Sequence, residues 1–284
     1  MDRRRRQLLG LSALCVGLIG SFMFFAIHVG YDPLTRLIIA AILVAMMCVG
    51  AWLLGASAMI AGISPERQSL AVVGSLLILP WVLFSFLAGY GRPDQSNASE
   101  NLWRYIILLV STMAVGGGLV LLKEALSEAG ERLYSALGLA AIVMASPIYL
   151  VWATIALEYF SQKIYANNGQ APPAIMSLAI WSEILLFTGG LLTYVATAAF
   201  TAALGRIRWL GRNATLALVL INIIAALVLG LRGLSFPNPK AALSHWYTIP
   251  GFVVGIPAVP WIIPCIIGVV LLWRAGQLAD GRRN

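Results

Sequence analysis

Long apolar runs, broken only by short charged clusters, are the feature that most limits what this chain can fold into. Only 11% of the residues are charged and 60% are hydrophobic, and the mean hydropathy is +0.89. A soluble domain of 284 residues needs more charge than this to cover its surface. The expected fold class is therefore all-α, a polytopic integral membrane helical bundle. It is read as one transmembrane domain over residues 1–284 with no separate soluble domain.

Crossing about 30 Å of hydrocarbon takes about 20 residues of helix. Eight runs meet that requirement, at residues 7–28, 36–62, 69–90, 103–122, 133–157, 174–204, 214–231 and 249–273. The sixth is long enough, about 46 Å at 1.5 Å per residue, to require tilt or protrusion. With the amino terminus inside, thirteen of the 19 lysines and arginines fall in cytoplasmic segments. That bias predicts both termini in the cytoplasm and a bacterial-type plasma (inner) membrane. The basic balance is thus topogenic, and no nucleic-acid partner is expected. The opening "MDRRRRQ" followed by an apolar run resembles a secretion signal, but the run continues to Ile27 and Leu14 replaces the small residue a lipobox at Cys15 would need. It is read as a retained first helix.

Catalytic and energising motifs are scarce. The sequence has no GxxxxGK[ST] phosphate loop, no HExxH, no DxxxD pair and no GxSG serine motif. Cys15, Cys48 and Cys265 lie within predicted spans without close spacing, which implies neither a disulfide framework nor a thiolate site. The two histidines, His28 and His245, fall near the outer boundary, where they are candidates to ligate a metal or a haem; the alternative is a place in the interfacial aromatic belt beside Trp246 and Tyr247.

The sixth run carries a polar stripe of Glu183, Gly190, Tyr194, Thr197 and Thr201, which helical periodicity gathers onto one face. Such a face lines a wet path or packs against other helices. Glu183 is a functional candidate if it lies within the hydrocarbon, and an interface marker if the span starts at residue 184. Asn222 sits midway along the seventh run, where a buried amide needs a partner. In the eighth, Pro250, Pro257, Pro260 and Pro264 would share a helical face, and the last three would free the carbonyls of Val253, Ile256 and Pro260. Freed carbonyls cannot face lipid, and Gly251 and Gly255 allow close backbone approach. Pro80 and Pro147 are expected to mark milder kinks.

These features point to a small membrane protein that binds or translocates a solute or ion through an outward-facing cavity between the sixth, seventh and eighth helices. The candidate ligand-binding residues are Glu183, Tyr194, Asn222, His245, Gly255, Ile256 and Pro260. Two alternatives stand beside it: a non-catalytic accessory or scaffold subunit, and a haem-binding or enzymatic protein built on His28 and His245. Expected partners are the lipid bilayer and possible further membrane subunits or copies of the chain, and no cofactor is evident apart from that haem.

Overall fold

The computed structural model describes residues 3–26, 32–61, 64–87, 90, 97–165, 173–233 and 260–278. Helices run as α1 (Arg3–Ala26), α2 (Pro33–Ala51), α3 (Ala58–Ala61), α4 (Pro65–Phe84), α5 (Ala98–Glu128), α6 (Leu133–Tyr165), α7 (Pro173–Arg206), α8 (Arg212–Gly233) and α9 (Ile262–Gln277). A π-helical turn, Trp52–Ala56, extends α2, and a 3-10 turn, Ser85–Leu87, ends α4. No strand occurs among the described residues. Among the described residues, six helical stretches are long and apolar enough to cross a membrane: Pro33–Ala56, Pro65–Leu87, Ala98–Glu128, Leu133–Glu158, Ile184–Arg206 and Arg212–Leu231. The chain is an integral membrane protein of the multi-pass helical type.

Local chemistry explains the boundaries. Asp32 caps α2, accepting from the Thr35 amide at 3.1 Å with Pro33 in the first turn. Ser64 and Pro65 repeat the device at α4. At α5, Asn97 accepts from the Glu100 amide at 2.8 Å while Glu100 accepts from the Asn97 amide at 3.3 Å, a reciprocal capping box. This box starts α5 earlier than the predicted run at residue 103, because a cap lies in water beyond the apolar stretch.

The chain divides into two compact units, Met1–Ala125 with Pro264–Asn284, and Leu126–Ile263. In the first, α1 and α2 pack antiparallel at very short range: a Cβ added to Gly10 would lie 2.8 Å from the Gly50 carbonyl oxygen, and one added to Gly50 would lie 2.8 Å from that of Gly10. Gly74 of α4 and Gly268 of α9 make a second such pair. Small residues allow this approach, which membrane helices use for association because lipid supplies no hydrophobic drive between them. Arg67 of α4 is buried and donates Nε to the Ala275 carbonyl at 2.9 Å, and Gln7 donates to Trp273 at 3.2 Å. Both side chains satisfy carbonyls near the end of α9, where a cation also suits the helix dipole.

In the second unit α6, α7 and α8 form an antiparallel series. Gly138 meets Phe200 while Gly189 meets Tyr149; across the other face, Gly205 meets Thr215 and Gly190 meets Leu229. Helices α4 and α6 continue through Pro80 and Pro147 without interruption. The predicted 249–273 helix is described from residue 260 onward. There Pro260 and Trp261 form a turn and α9 starts at Ile262. Pro264 therefore falls in a first turn, where its missing N–H removes no intrahelical bond and frees no carbonyl of Pro260, contrary to expectation.

Candidate functional site

The first unit holds a cleft of about 700 Å³ between the start of α2, the end of α4 and the start of α5. Its walls are apolar: Leu37 and Ala40 on α2, Leu83 and Phe86 at the end of α4, and Ile107 and Val110 among the α5 residues. Its rim is polar. Arg36 Nη1 donates to Glu100 Oε1 at 2.7 Å, and Tyr90 lies beside them. Burial, reinforced by the Glu100 charge, raises the Tyr90 phenol above its usual range, so it stays a neutral hydroxyl.

The caps position this rim. Asp32 fixes the first turn of α2 and hence Arg36; the Asn97–Glu100 box holds one Glu100 oxygen and leaves the other for Arg36. Asp32 is itself held below the usual carboxylate range, chiefly by the Thr35 hydroxyl. On α2, Pro33, Arg36, Leu37 and Ala40 recur at helical spacing and so share one face. The apolar wall of α5 from Trp103 to Val110 is about 10 Å long at 1.5 Å per residue. The cleft can take an elongated apolar body with a polar head at the rim.

The residues singled out from sequence lie in the second unit or outside the described residues. Asn222 of α8 is buried and meets α7: its carbonyl oxygen accepts from Thr197 Oγ1 at 2.5 Å, and its Nδ2 donates to the Leu218 carbonyl at 2.8 Å. Thr197 also reaches the Thr193 carbonyl at 2.8 Å, so its one hydroxyl proton is shared. Tyr194 is buried with Leu229 against Leu186, Phe187, Leu191, Ala225 and Ala226. Among the described residues its hydroxyl has no hydrogen-bond partner, and neither has that of Thr201. Pro260 is buried, and its Cγ would lie 3.8 Å from a Cβ at Gly190. Trp261 meets Tyr149 edge-on with centroids 5.5 Å apart. Tyr194, Asn222 and Pro260 are thus drawn to one helix, α7, along its buried Gly190–Thr201 face, and the bonds of Asn222 run across a packed contact.

Glu183 lies on α7 just before the membrane-crossing stretch Ile184–Arg206, and its side chain is outside the described residues. His28, His245, Gly255 and Ile256 are also outside them. Among the described residues no group of three or more His, Cys, Asp or Glu is placed to hold a metal ion. Cys15, Cys48 and Cys265 are free thiols. No family model matches the chain, no curated protein matches its sequence, and no solved structure matches its fold.

The contact between Asn222 and Thr197 makes a measurable prediction. Combining Asn222→Leu with Thr197→Val in a double-mutant cycle should give a coupling energy of about 0.6 kcal/mol, up to about 1.7 kcal/mol, as for other interhelical hydrogen bonds in membranes. Reversible unfolding in mixed micelles reads it, and zero coupling would show that the bond does not join α7 to α8.

Proposed function

We propose that the chain is a non-enzymatic membrane protein that binds a small amphiphile at the cleft of the first unit. The single observation that carries this reading is the joining of an apolar 700 Å³ cleft to a partly buried Arg36–Glu100 pair at its rim. An apolar wall with a few convergent polar groups is the usual form of a small-molecule site. The paired charges suit a head that both accepts from a guanidinium and donates to, or balances, a carboxylate.

The proposed topology has eight crossings, with both termini in the cytoplasm of a cell bounded by this plasma membrane. Its support is the distribution of lysine and arginine. In that arrangement the cleft opens on the outer side, which agrees with the outward-facing binding expected from sequence but moves it from the sixth to eighth helices to α2, α4 and α5. Translocation would require the bound amphiphile to leave on the other side of the membrane, and the same protein can be tested for that in vesicles.

Native mass spectrometry of the chain, extracted in a polymer disc from its own membrane, tests the reading. A small bound mass is expected, lowered in occupancy by Arg36→Gln and Glu100→Gln and unchanged by Glu183→Gln. Loss from Glu183→Gln alone would return the site to α7. A stoichiometric protein partner with no small mass would favour the accessory-subunit reading, and a Soret band would bring back haem ligation by His28 and His245.

A further inference from the structure

A second cleft, of about 660 Å³ and polar in lining, lies wholly within the second unit. It is formed by residues 129–133 of the α5–α6 turn and by Arg206, Ile207 and Trp209 at the α7–α8 turn. The two turns share one geometry. In the first, the Glu131 amide bonds the Leu126 carbonyl at 2.9 Å and the Gly130 amide bonds Ser127 at 3.1 Å; in the second, Trp209 bonds Leu204 at 2.9 Å and Arg208 bonds Gly205 at 3.1 Å. Both are Schellman endings, with Gly130 at φ 91° and Arg208 at φ 59° in the left-handed position. Glu131 and Trp209 thereby occupy equivalent places, each just past its helix.

Charge in this cleft is unbalanced. Glu131 is buried, and its two oxygens accept from the amides of Tyr134 at 3.0 Å and Ser135 at 2.9 Å. Burial acts to raise the Glu131 carboxyl, but those amides and the Arg206 charge outweigh it and hold the group below the usual range. Its negative charge is thus committed to the start of α6. Arg206 stacks over the Tyr134 ring at 5.4 Å. Neither Arg132 nor Arg206 lies within ion-pair distance of a carboxylate among the described residues. Arg132 and Arg206, each a planar fork of donors, thus line one polar cleft with a single carboxylate, Glu131, whose oxygens are already taken by amides.

Four membrane-crossing stretches, Ala98–Glu128, Leu133–Glu158, Ile184–Arg206 and Arg212–Leu231, begin or end at these turns. The cleft therefore lies at the depth of lipid headgroups, a level that tryptophan also favours. We propose that it binds a phosphate group, held by the forks of Arg132 and Arg206, with an anionic phospholipid headgroup as the source at that depth. This site is independent of the amphiphile cleft and needs no ligand there.

The test titrates delipidated full-length protein with phosphatidylglycerol, phosphatidylcholine and inorganic phosphate, reading binding by native mass spectrometry. Phosphatidylglycerol should bind at least about tenfold more tightly than phosphatidylcholine, and Arg132→Gln with Arg206→Gln should remove that preference. Arg206→Lys keeps a stem against Tyr134 and one charge, so it should fold and retain part of the affinity. Arg212 is exposed at the start of α8 and does not line the cleft; Arg212→Gln should leave binding unchanged. Inorganic phosphate bound with the same dependence on Arg132 and Arg206, without preference between lipids, would uphold the phosphate site and make its source soluble. Binding indifferent to the double substitution, or weakened equally by Arg212→Gln, would overturn the site.

Discussion

Gly55→Val is expected to leave almost no folded protein in a gentle extract, whereas Gly117→Ala in the same unit is expected to extract normally. A Cβ at Gly55 would lie 2.0 Å from the Leu272 carbonyl oxygen and 2.8 Å from the Gly276 amide nitrogen. These are backbone atoms of α9, not the ends of flexible side chains, so neither neighbour can rotate away. The contact is reciprocal, since a Cβ at Gly276 would lie 2.3 Å from the Leu54 carbonyl oxygen. Relief requires α9 to move off the π-helical turn, which would also pull the Trp273 and Ala275 carbonyls away from Gln7 and Arg67. Overpacking commonly costs about 1–3 kcal/mol and more where backbone must shift, a large part of a net stability of about 5–15 kcal/mol. At Gly117 a Cβ would meet nothing within 4 Å, and alanine favours the helix by about 1 kcal/mol. Size-exclusion profiles and thermal midpoints of the two variants measure this, and a normal profile for Gly55→Val would mean that α9 does not pack there.

The membrane class was legible in the sequence because hydrocarbon imposes a length and a composition on every crossing. Helix ends were less so: α5 begins at a capping box and stops at a glycine-bearing Schellman turn, signals that are polar and so lie outside any hydropathy run. Periodicity gathered Glu183, Gly190, Tyr194, Thr197 and Thr201 on one face of α7; the last four are buried, and the Glu183 side chain lies outside the described residues. It could not say what would face them, because Thr197 finds Asn222 across 25 positions of sequence. The cleft of the first unit was not legible for the same reason, enlarged. Arg36 and Glu100 are separated by 64 positions, and each alone reads as a charge at the edge of an apolar run. The segments "DPLTR" and "NASE" did carry the caps that aim both side chains, and reading those caps would have marked two helix starts with charged first turns. Likewise the turn containing Gly130, Glu131 and Arg132 reads in sequence only as a short charged connection between two apolar runs. The cleft it lines forms only where the α7 ending comes beside it.

Ala40→Phe should reduce binding of a single-chain zwitterionic amphiphile, with lysophosphatidylcholine as the probe, by about 70-fold. Ala40 is buried and lines the cleft one turn below Arg36, on the α2 face that the cap orients. A benzyl group there fills space that the apolar body of the ligand would otherwise use. Displacing about 100 Å² of apolar contact costs about 2.5 kcal/mol at 25 cal/mol per Å², which converts to about 70-fold in affinity. Val110→Phe approaches the same space from α5, starting from a more exposed position, so it provides a second variant if Ala40→Phe disturbs the packing of α2. Arg36→Gln should have a smaller effect, about tenfold, because it removes one head contact and leaves the wall intact. The ordering matters more than any single value: wall substitutions above rim substitutions identifies an amphiphile held mainly by its apolar body. The reverse order would describe a polar solute bound to Arg36 and Glu100. Affinity unchanged in both phenylalanine variants, with each protein folded, would remove the cleft as the binding site.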